Sequence, residues 1–313
     1  RPFQMKLFNI SGEKLEAVGS NPFKLEKDIQ SLIENNVDEL FELEFVKSEL
    51  RIKNFRFDTL CFDTSNNSFV VIEYKKGHSY SVIDQGYSYL STLLNNKSDF
   101  VLEYNETLGK TMKRDEVDWS QSRVIFISPS FSLYQKTSVN FKNLPFELWE
   151  VTRYKNGSLA MNHISTESDV DINSTLADDD KSNVVKQVSK VVKRYDEEFH
   201  LNYSPNRPDW VFEAYEDLKQ RILSIDESVE IRVAKQTIGF KAKRVFADII
   251  VTNKGLKVVL NLKKGELRDD LNKAEDISNK GHWGTGDYWY WIFSIDDIDY
   301  ALNLIKQSFN KQV

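Results

Sequence analysis

The stretch Phe55–Lys75, FRFDTLCFDTSNNSFVVIEYK, decides how the rest of the chain is read. Phe55, Phe57, Thr59 and Cys61 alternate with Arg56, Asp58 and Leu60, the period of two that a strand requires. Ser65-Asn66-Asn67-Ser68 is a cluster of turn formers. Phe69-Val70-Val71-Ile72 is a run of aromatic and β-branched residues that suits a strand buried on both faces. The pattern predicts a β-hairpin. Its second strand should continue apolar, yet it ends Glu73-Tyr74-Lys75-Lys76-Gly77.

On a strand Glu73 and Lys75 share a face, roughly 7 Å apart, and Tyr74 points the other way. Burying a carboxylate at the end of a core strand is costly unless a cation or hydrogen bonds compensate. Asp58, brought alongside by the hairpin, adds like-charge repulsion. A divalent cation, Mg²⁺ or Mn²⁺, would relieve it, because those ions take hard carboxylate oxygens. Lys75 could then hold or polarise a water beside the metal. The plainer alternative is an edge strand whose end fans its charges into solvent, with Lys75 pairing Glu73. A Glu-x-Lys tripeptide alone favours that alternative.

The companions of the tripeptide change the balance. These residues resemble the PD-(D/E)xK nuclease superfamily, with Asp58 at the motif's Asp and Glu73-Tyr74-Lys75 at its ExK. Within it the chain is similar to the catalytic domain of the mismatch-type endonucleases of archaea and actinobacteria. That likeness adds Glu26, in LEKDIQSLIENN on the preceding helix. It also adds Gln85 and Tyr89, in VIDQGYSYL, one turn apart on the following helix. The order helix-Glu, strand-Asp, strand-ExK, helix-QxxxY is far more specific than ExK alone, and it covers residues 20–135.

The resemblance implies an α/β fold, a restriction-endonuclease-like mixed sheet flanked by helices, and metal-dependent hydrolysis of DNA phosphodiester bonds in defence or repair. It implies Mg²⁺ or Mn²⁺ on Asp58, Glu73 and the backbone carbonyl of Tyr74. Glu26 would be a supporting ligand or hold a metal-bound water. Lys75 would orient the attacking water, with Gln85 and Tyr89 supporting water and phosphate. DNA, modified or single-stranded DNA included, is the implied partner. Cleaving both strands of a duplex takes two sites, so a homodimer is expected. The relatives place a separate DNA-binding domain ahead of the nuclease, and the residues before the motif leave no room for one. The alternative is an adaptor that keeps the nuclease fold, binds nucleic acid or protein and cuts nothing.

Composition sets outer limits. A net charge of −6 excludes a strongly basic DNA-binding domain, though not a local basic groove; metals can supply part of the field at a phosphate. No run of about 18 apolar residues suggests a membrane span, and the start of the chain lacks a signal peptide's apolar segment. Residues 1–4, ahead of Met5, read as leftover vector sequence. Cys61 is the only cysteine, which excludes an intrachain disulfide. A cytoplasmic protein is the expectation.

Three regions are expected: a nuclease-like domain over 5–164, an acidic linker with a connecting helix over 165–208, and a smaller C-terminal α+β accessory domain over 209–313. Around the hairpin the periodicity predicts a helix over 25–40, a strand at Phe100-Val101-Leu102 and a strand over 123–128 that stops at Pro129. In the helix over 25–40, Glu34 reads as a solvated position, and Glu26 in the first turn also suits the helix dipole. Glu49, among Arg51, Lys53 and Arg56, reads as a surface ion pair. His78 reads as an exposed turn residue, and the acidic run Asp178-Asp179-Asp180 as flexible linker.

In the last third, a helix begins near Trp210. Strand pairs follow over 229–233 with 237–240 and over 245–251 with 256–262, then a helix over 267–278. A terminal helix over 298–309 is opened by Ser294-Ile295-Asp296-Asp297. This third resembles a small uncharacterised α+β domain attached to so-called predicted transport proteins and to some proteins of modification-dependent restriction systems. KGHWGTGDYWYWIF and IDYALNLIKQSF carry the likeness. The string Gly281-x-x-Gly284-x-Gly286 lacks the Lys-Ser/Thr of a P-loop. Its aromatic neighbours His282, Trp283, Tyr288, Trp289 and Trp291 could stack a base or simply fill a core. Asp248 followed by Asn261-Leu262-Lys263-Lys264-Gly265 echoes Asp58 followed by Glu73-Tyr74-Lys75-Lys76-Gly77, but Asn261 is a poor metal ligand and no second active site is expected there.

Overall fold

The computed structural model describes residues 5–76, 81–165, 168–175, 180–204 and 206–313. His78, Asp178 and Asp179 lie outside the described residues. The chain divides into two compact units, 1–193 and 194–313.

The first unit opens with a hairpin of β1 (Leu7–Ser11) and β2 (Lys14–Val18), turned at Gly12 with φ 61°. Then come α1 (Glu26–Glu34), α2 (Val37–Phe41), β3 (Glu44–Ile52), β4 (Phe55–Asp63), β5 (Ser68–Tyr74), α3 (Val82–Asn95), α4 (Lys97–Leu108), β6 (Arg123–Ser128), α5 (Leu133–Ser138), β7 (Phe146–Arg153), β8 (Leu159–His163) and α6 (Asp180–Val191). The main sheet runs β3-β4-β5-β6-β7-β8. It is mixed: β5-β6 and β6-β7 are parallel, and the remaining pairs are antiparallel.

Every residue of β5 is buried, because the strand lies mid-sheet with a core on each face. Phe69 and Val71 pack with Leu90, Leu93, Phe100 and Tyr104 of α3 and α4. Val70, Ile72 and Tyr74 pack with Ile29, Ile33, Val37 and Phe41 of α1 and α2. This is the expected mixed α/β sheet flanked by helices. Ile172, Val185, Val188 and Val192, from the acidic stretch, join the core on the α3 side.

Two local expectations are corrected. The helix over 25–40 is broken: Asn35 and Asn36 turn their amides back onto the carbonyls of Ser31 and Leu32, at 2.8 and 2.7 Å, and end α1. Phe100-Val101-Leu102 is helical, not a strand. Phe100, Val101 and Tyr104 are buried on one face of α4, while Leu102 is 54 % exposed. Three apolar residues in a row fit either period, and the packing decides.

The second unit contains α7 (Glu197–Asn202), α8 (Asp209–Leu223), β9 (Glu230–Val233), β10 (Ile238–Lys241), β11 (Val245–Val251), β12 (Leu256–Leu260), β13 (Glu275–Asp276), β14 (Tyr288–Ile292) and α9 (Ile298–Gln312). Its antiparallel sheet runs β13-β14-β12-β11-β10-β9. Tyr215, Leu218, Leu304 and Ile305 of the helices bury one face of it against Phe240, Phe246, Val258 and Tyr290. The helix expected over 267–278 is absent. Asp269 accepts from the amide of Ala274 at 2.7 Å and from the hydroxyl of Tyr300 at 2.5 Å, and Asn272 takes a left-handed φ of 49°. Side-chain capping of this kind competes with helix.

Candidate active site

The last paired residues of β4 and β5 are Thr59 and Ile72. Beyond them a side chain replaces the backbone ladder: Asp58 Oδ2 accepts the amide of Tyr74 at 3.1 Å. On the other side of β5, the amide of Lys75 donates to Ile127 O at 2.8 Å, so the strand end stays fixed to β6. These two bonds hold Glu73 in the sheet, where it is 4 % exposed.

Four groups converge on Glu73. Lys75 Nζ and Gln85 Nε2 donate to its Oε1, at 2.7 and 2.9 Å, and Tyr89 OH donates to its Oε2 at 2.9 Å. The fourth is Asp58, whose negative charge opposes ionisation. Burial first, and then Asp58, push the Glu73 carboxyl up to about 7, against the pull of Lys75 and Tyr89. Burial also raises Asp58, opposed by the Tyr74 amide and Lys75. Gln85 and Tyr89 are joined to each other at 2.9 Å. The amide oxygen of Gln85 is buried without a hydrogen-bond partner among the described residues.

Glu26 sits apart from this cluster. Its Oε1 accepts the amide of Lys76 at 2.7 Å, so it anchors the chain just past Lys75. Among the described residues no three His, Cys, Asp or Glu side chains group as a metal site. The oxygen donors at hand are two coupled carboxylates, with the Tyr74 carbonyl beside them in sequence. That oxygen-only set and the orphaned Gln85 oxygen fit a hard cation with bound water.

Several residues of the site carry no sequence signal that singled them out. Gln30 Nε2 reaches the carbonyl of Asp58 at 3.0 Å and Glu34 Oε1 at 2.8 Å. Glu34 also accepts from Thr59 Oγ1 at 2.6 Å, and Thr59 meets Tyr74 OH at 3.1 Å. Glu34, expected in solvent, is therefore half-buried behind the site. The i, i+4 spacing of Glu26, Gln30 and Glu34 is the signal that could have shown one polar helix face turned inward. Glu49 is the surface ion pair expected of it, bonded to Arg56 and, at 3.2 Å, to Lys27. The Arg56 bond holds its carboxyl down at about 2. Its backbone is left-handed, φ 56°. Arg56 feels the charges of both Asp58 and Glu73. With Asn54, Ser88, Gln85 and Tyr89 it lines an open cleft of about 440 Å³.

The echo in the second unit has a different fate. Asp248 accepts from Thr237 Oγ1 at 2.9 Å and from the amide of Thr285 at 2.8 Å, which fastens the glycine loop to the sheet. Gly284, φ 94°, lies so close to Val259 and Asp248 that a Cβ would clash. Asn261 Nδ2 donates to Val245 O at 2.6 Å. Asn261 supplies no carboxylate to pair with Asp248, and β12 has an antiparallel neighbour, β14, rather than a parallel one.

Residues 202–312 match a family described as a domain of unknown function, DUF5655. Among solved structures the chain is similar to a repair endonuclease from Pyrococcus abyssi: 20 % identity, 38 % of this chain and 44 % of that one, TM-score 0.25. For a complex of EndoMS with double-stranded DNA the values are 19 %, 45 %, 49 % and 0.23. For Pyrococcus furiosus SfsA with Ca²⁺ they are 14 %, 52 %, 78 % and 0.26. The chain thus spans less than half the length of the two endonuclease structures. Among the described residues no helix is long and apolar enough to cross a membrane. An uncharacterised protein of Haemophilus influenzae is 43 % identical over 304 residues, 97 % of this chain and 99 % of that one, and the chain belongs to the same family as that protein.

Proposed function

We propose that the first unit is a metal-dependent nuclease that hydrolyses phosphodiester bonds in DNA. The observation that carries this reading is Glu73: a carboxylate 4 % exposed, beside a second acid, pushed up to about 7 and offset by one lysine. Asp58, Glu73 and the Tyr74 carbonyl would hold Mg²⁺ or Mn²⁺. The bound ion would supply positive charge at the phosphate and lower the pKa of water. Lys75, released from Glu73, holds the attacking water and faces the charge that develops on the phosphate. Gln85 and Tyr89 keep Glu73 oriented, and the unpartnered Gln85 oxygen would accept a hydrogen bond from that water and so orient it. Glu26 acts one step back, fixing Lys76 and with it the direction in which Lys75 leaves the strand.

The test is nicking of supercoiled plasmid, and cutting of linear and single-stranded DNA, in Mn²⁺, Mg²⁺ or EDTA. Cleavage by the wild type with metal, lost in EDTA and in Glu73→Ala, is the expected result. Cleavage that survives Glu73→Ala in a folded protein would sink the reading. A second reading, a binding adaptor, is favoured by one observation: no third acidic or histidine ligand joins the pair among the described residues. An adaptor binds DNA equally well in EDTA and cuts none.

A further inference from the structure

We infer that the face of the second unit's sheet turned away from the helices binds single-stranded nucleic acid at its β14 side, through aromatic rings on β14 and on Phe293 just past it. Trp289, Trp291 and Phe293 occupy alternate positions. Tyr290 and Ile292 between them point into the helix-covered core, to which neither tryptophan belongs. The three rings therefore lie on the opposite face. Phe293 is 57 % exposed and stacks parallel on Trp291, centroids 5.2 Å apart. Trp283, on the glycine loop fastened by Asp248, is 56 % exposed. Trp289 and Trp291 are half-buried, and Phe293 and Trp283 extend them into exposed aromatic surface.

Charge selects the occupant. Lys257, opposite Trp291 on β12, carries its ammonium over both tryptophans, 4.0 Å from the centroid of Trp289 and 4.7 Å from that of Trp291. Lys280 lies 5.6 Å from Trp289, paired with Glu275. A cation set between successive rings matches a phosphate set between successive bases. The exposed ring of Phe293, already stacked on Trp291 at 5.2 Å, offers its outer face to a base of an unpaired strand, whose bases stack on aromatics regardless of sequence.

The test uses the full chain with Glu73→Ala, in EDTA, so that nothing is cut. Short oligo(dT), oligo(U) and a duplex are titrated by tryptophan fluorescence and by anisotropy of a labelled strand. Oligo(dT) or oligo(U) should quench the fluorescence, and the duplex should bind at least tenfold more weakly. Trp291→Ala should weaken binding at least tenfold, as should Phe293→Ala, whose exposed ring can be lost without harm to the core. Lys257→Gln should lower the salt slope by about 0.7, the value of one phosphate contact on a single strand. No binding, or binding unchanged in Trp291→Ala and Phe293→Ala with unaltered melting curves, would overturn the inference. Because nothing is cleaved, its failure is separate from that of the nuclease reading.

Discussion

The two ends of the β4–β5 hairpin treat buried charge in opposite ways. At the turn, Asp63 is wholly buried and fully served. Its Oδ1 accepts the amides of Ser65 and Asn66, and its Oδ2 accepts Asn66 Nδ2 and Arg123 Nη1, all within 3.1 Å. Arg123 in turn lies between Asp63 and Glu147, whose Oε1 is 3.0 Å from its Nε, near enough for an ion pair but out of line for a hydrogen bond. Burial alone would lower the Arg123 pKa, and its two acids more than offset that. At the open end, Asp58 and Glu73 share Lys75, and Glu73 rises to about 7. One end is closed electrostatically and sets the turn. The other is short of positive charge, the condition in which a binding site is left open.

Breaking the closed end should have the largest effect. Arg123→Met strands Asp63 without its cation, and removing one partner of a buried pair costs about 3–5 kcal/mol. Urea unfolding should show this as a lower midpoint with unchanged slope. A loss below about 1 kcal/mol would mean that the Ser65 and Asn66 amides suffice, and that the two ends do not differ as described.

The open end should respond with the reverse sign. An unfolded glutamate ionises near its ordinary value of 4.5, the folded Glu73 near 7, so the native state holds its proton longer. Stability is therefore full below the unfolded value and is lost as pH rises through about 7, by about 3 kcal/mol in all. Asp58, also raised, acts in the same sense. Glu73→Gln should flatten this decline and make the protein more stable than wild type at pH 8 in EDTA, while abolishing any cleavage. Mg²⁺ or Mn²⁺ at a hundred times its Kd should restore about 2.7 kcal/mol to the wild type and nothing to the variant. Thermal melting with and without metal at pH 5.5 and 8 reads both. A wild type whose stability rises over that interval would contradict the picture of an under-compensated pair.

The contrast also explains what the sequence could and could not convey. The hairpin was legible because the periods of Phe55–Cys61 and Phe69–Ile72 agree with their turn residues, and α3 and the strand β6 because each carries its own apolar pattern; that β6 runs parallel to β5 was not. The misplacement of Glu73 was legible too, since a charge ending a core strand breaks a local rule. Compensation was not. Nothing in the string tells that Arg123 serves Asp63 from sixty residues away, or that Gln30 turns inward to the Asp58 carbonyl. Phe100-Val101-Leu102 failed for a related reason: its period is set by α4 packing on β3, not by its own three residues. Of the Gly281–Trp291 stretch, only the aromatic content was legible. Which rings face water depends on the register of β14 against β12.

A third carboxylate at the open end gives the smallest and sharpest test. Glu49 faces solvent at the open end, paired with Arg56 and Lys27, and its side chain is 28 % exposed. Pairs of that exposure are worth about 0–1 kcal/mol. Its left-handed backbone costs a non-glycine residue roughly 1–2 kcal/mol. Glu49→Gly removes both terms, so stability should stay within about 1 kcal/mol of wild type. Glu49→Ala removes only the pair and keeps the backbone cost, so it should fall below the glycine variant by about 1 kcal/mol. Equal midpoints for the two would show that the backbone relaxes and that position 49 stores no strain. A glycine variant that is the worse of the two would show that Glu49 compensates charge as Arg123 does at the turn, erasing the difference between the ends.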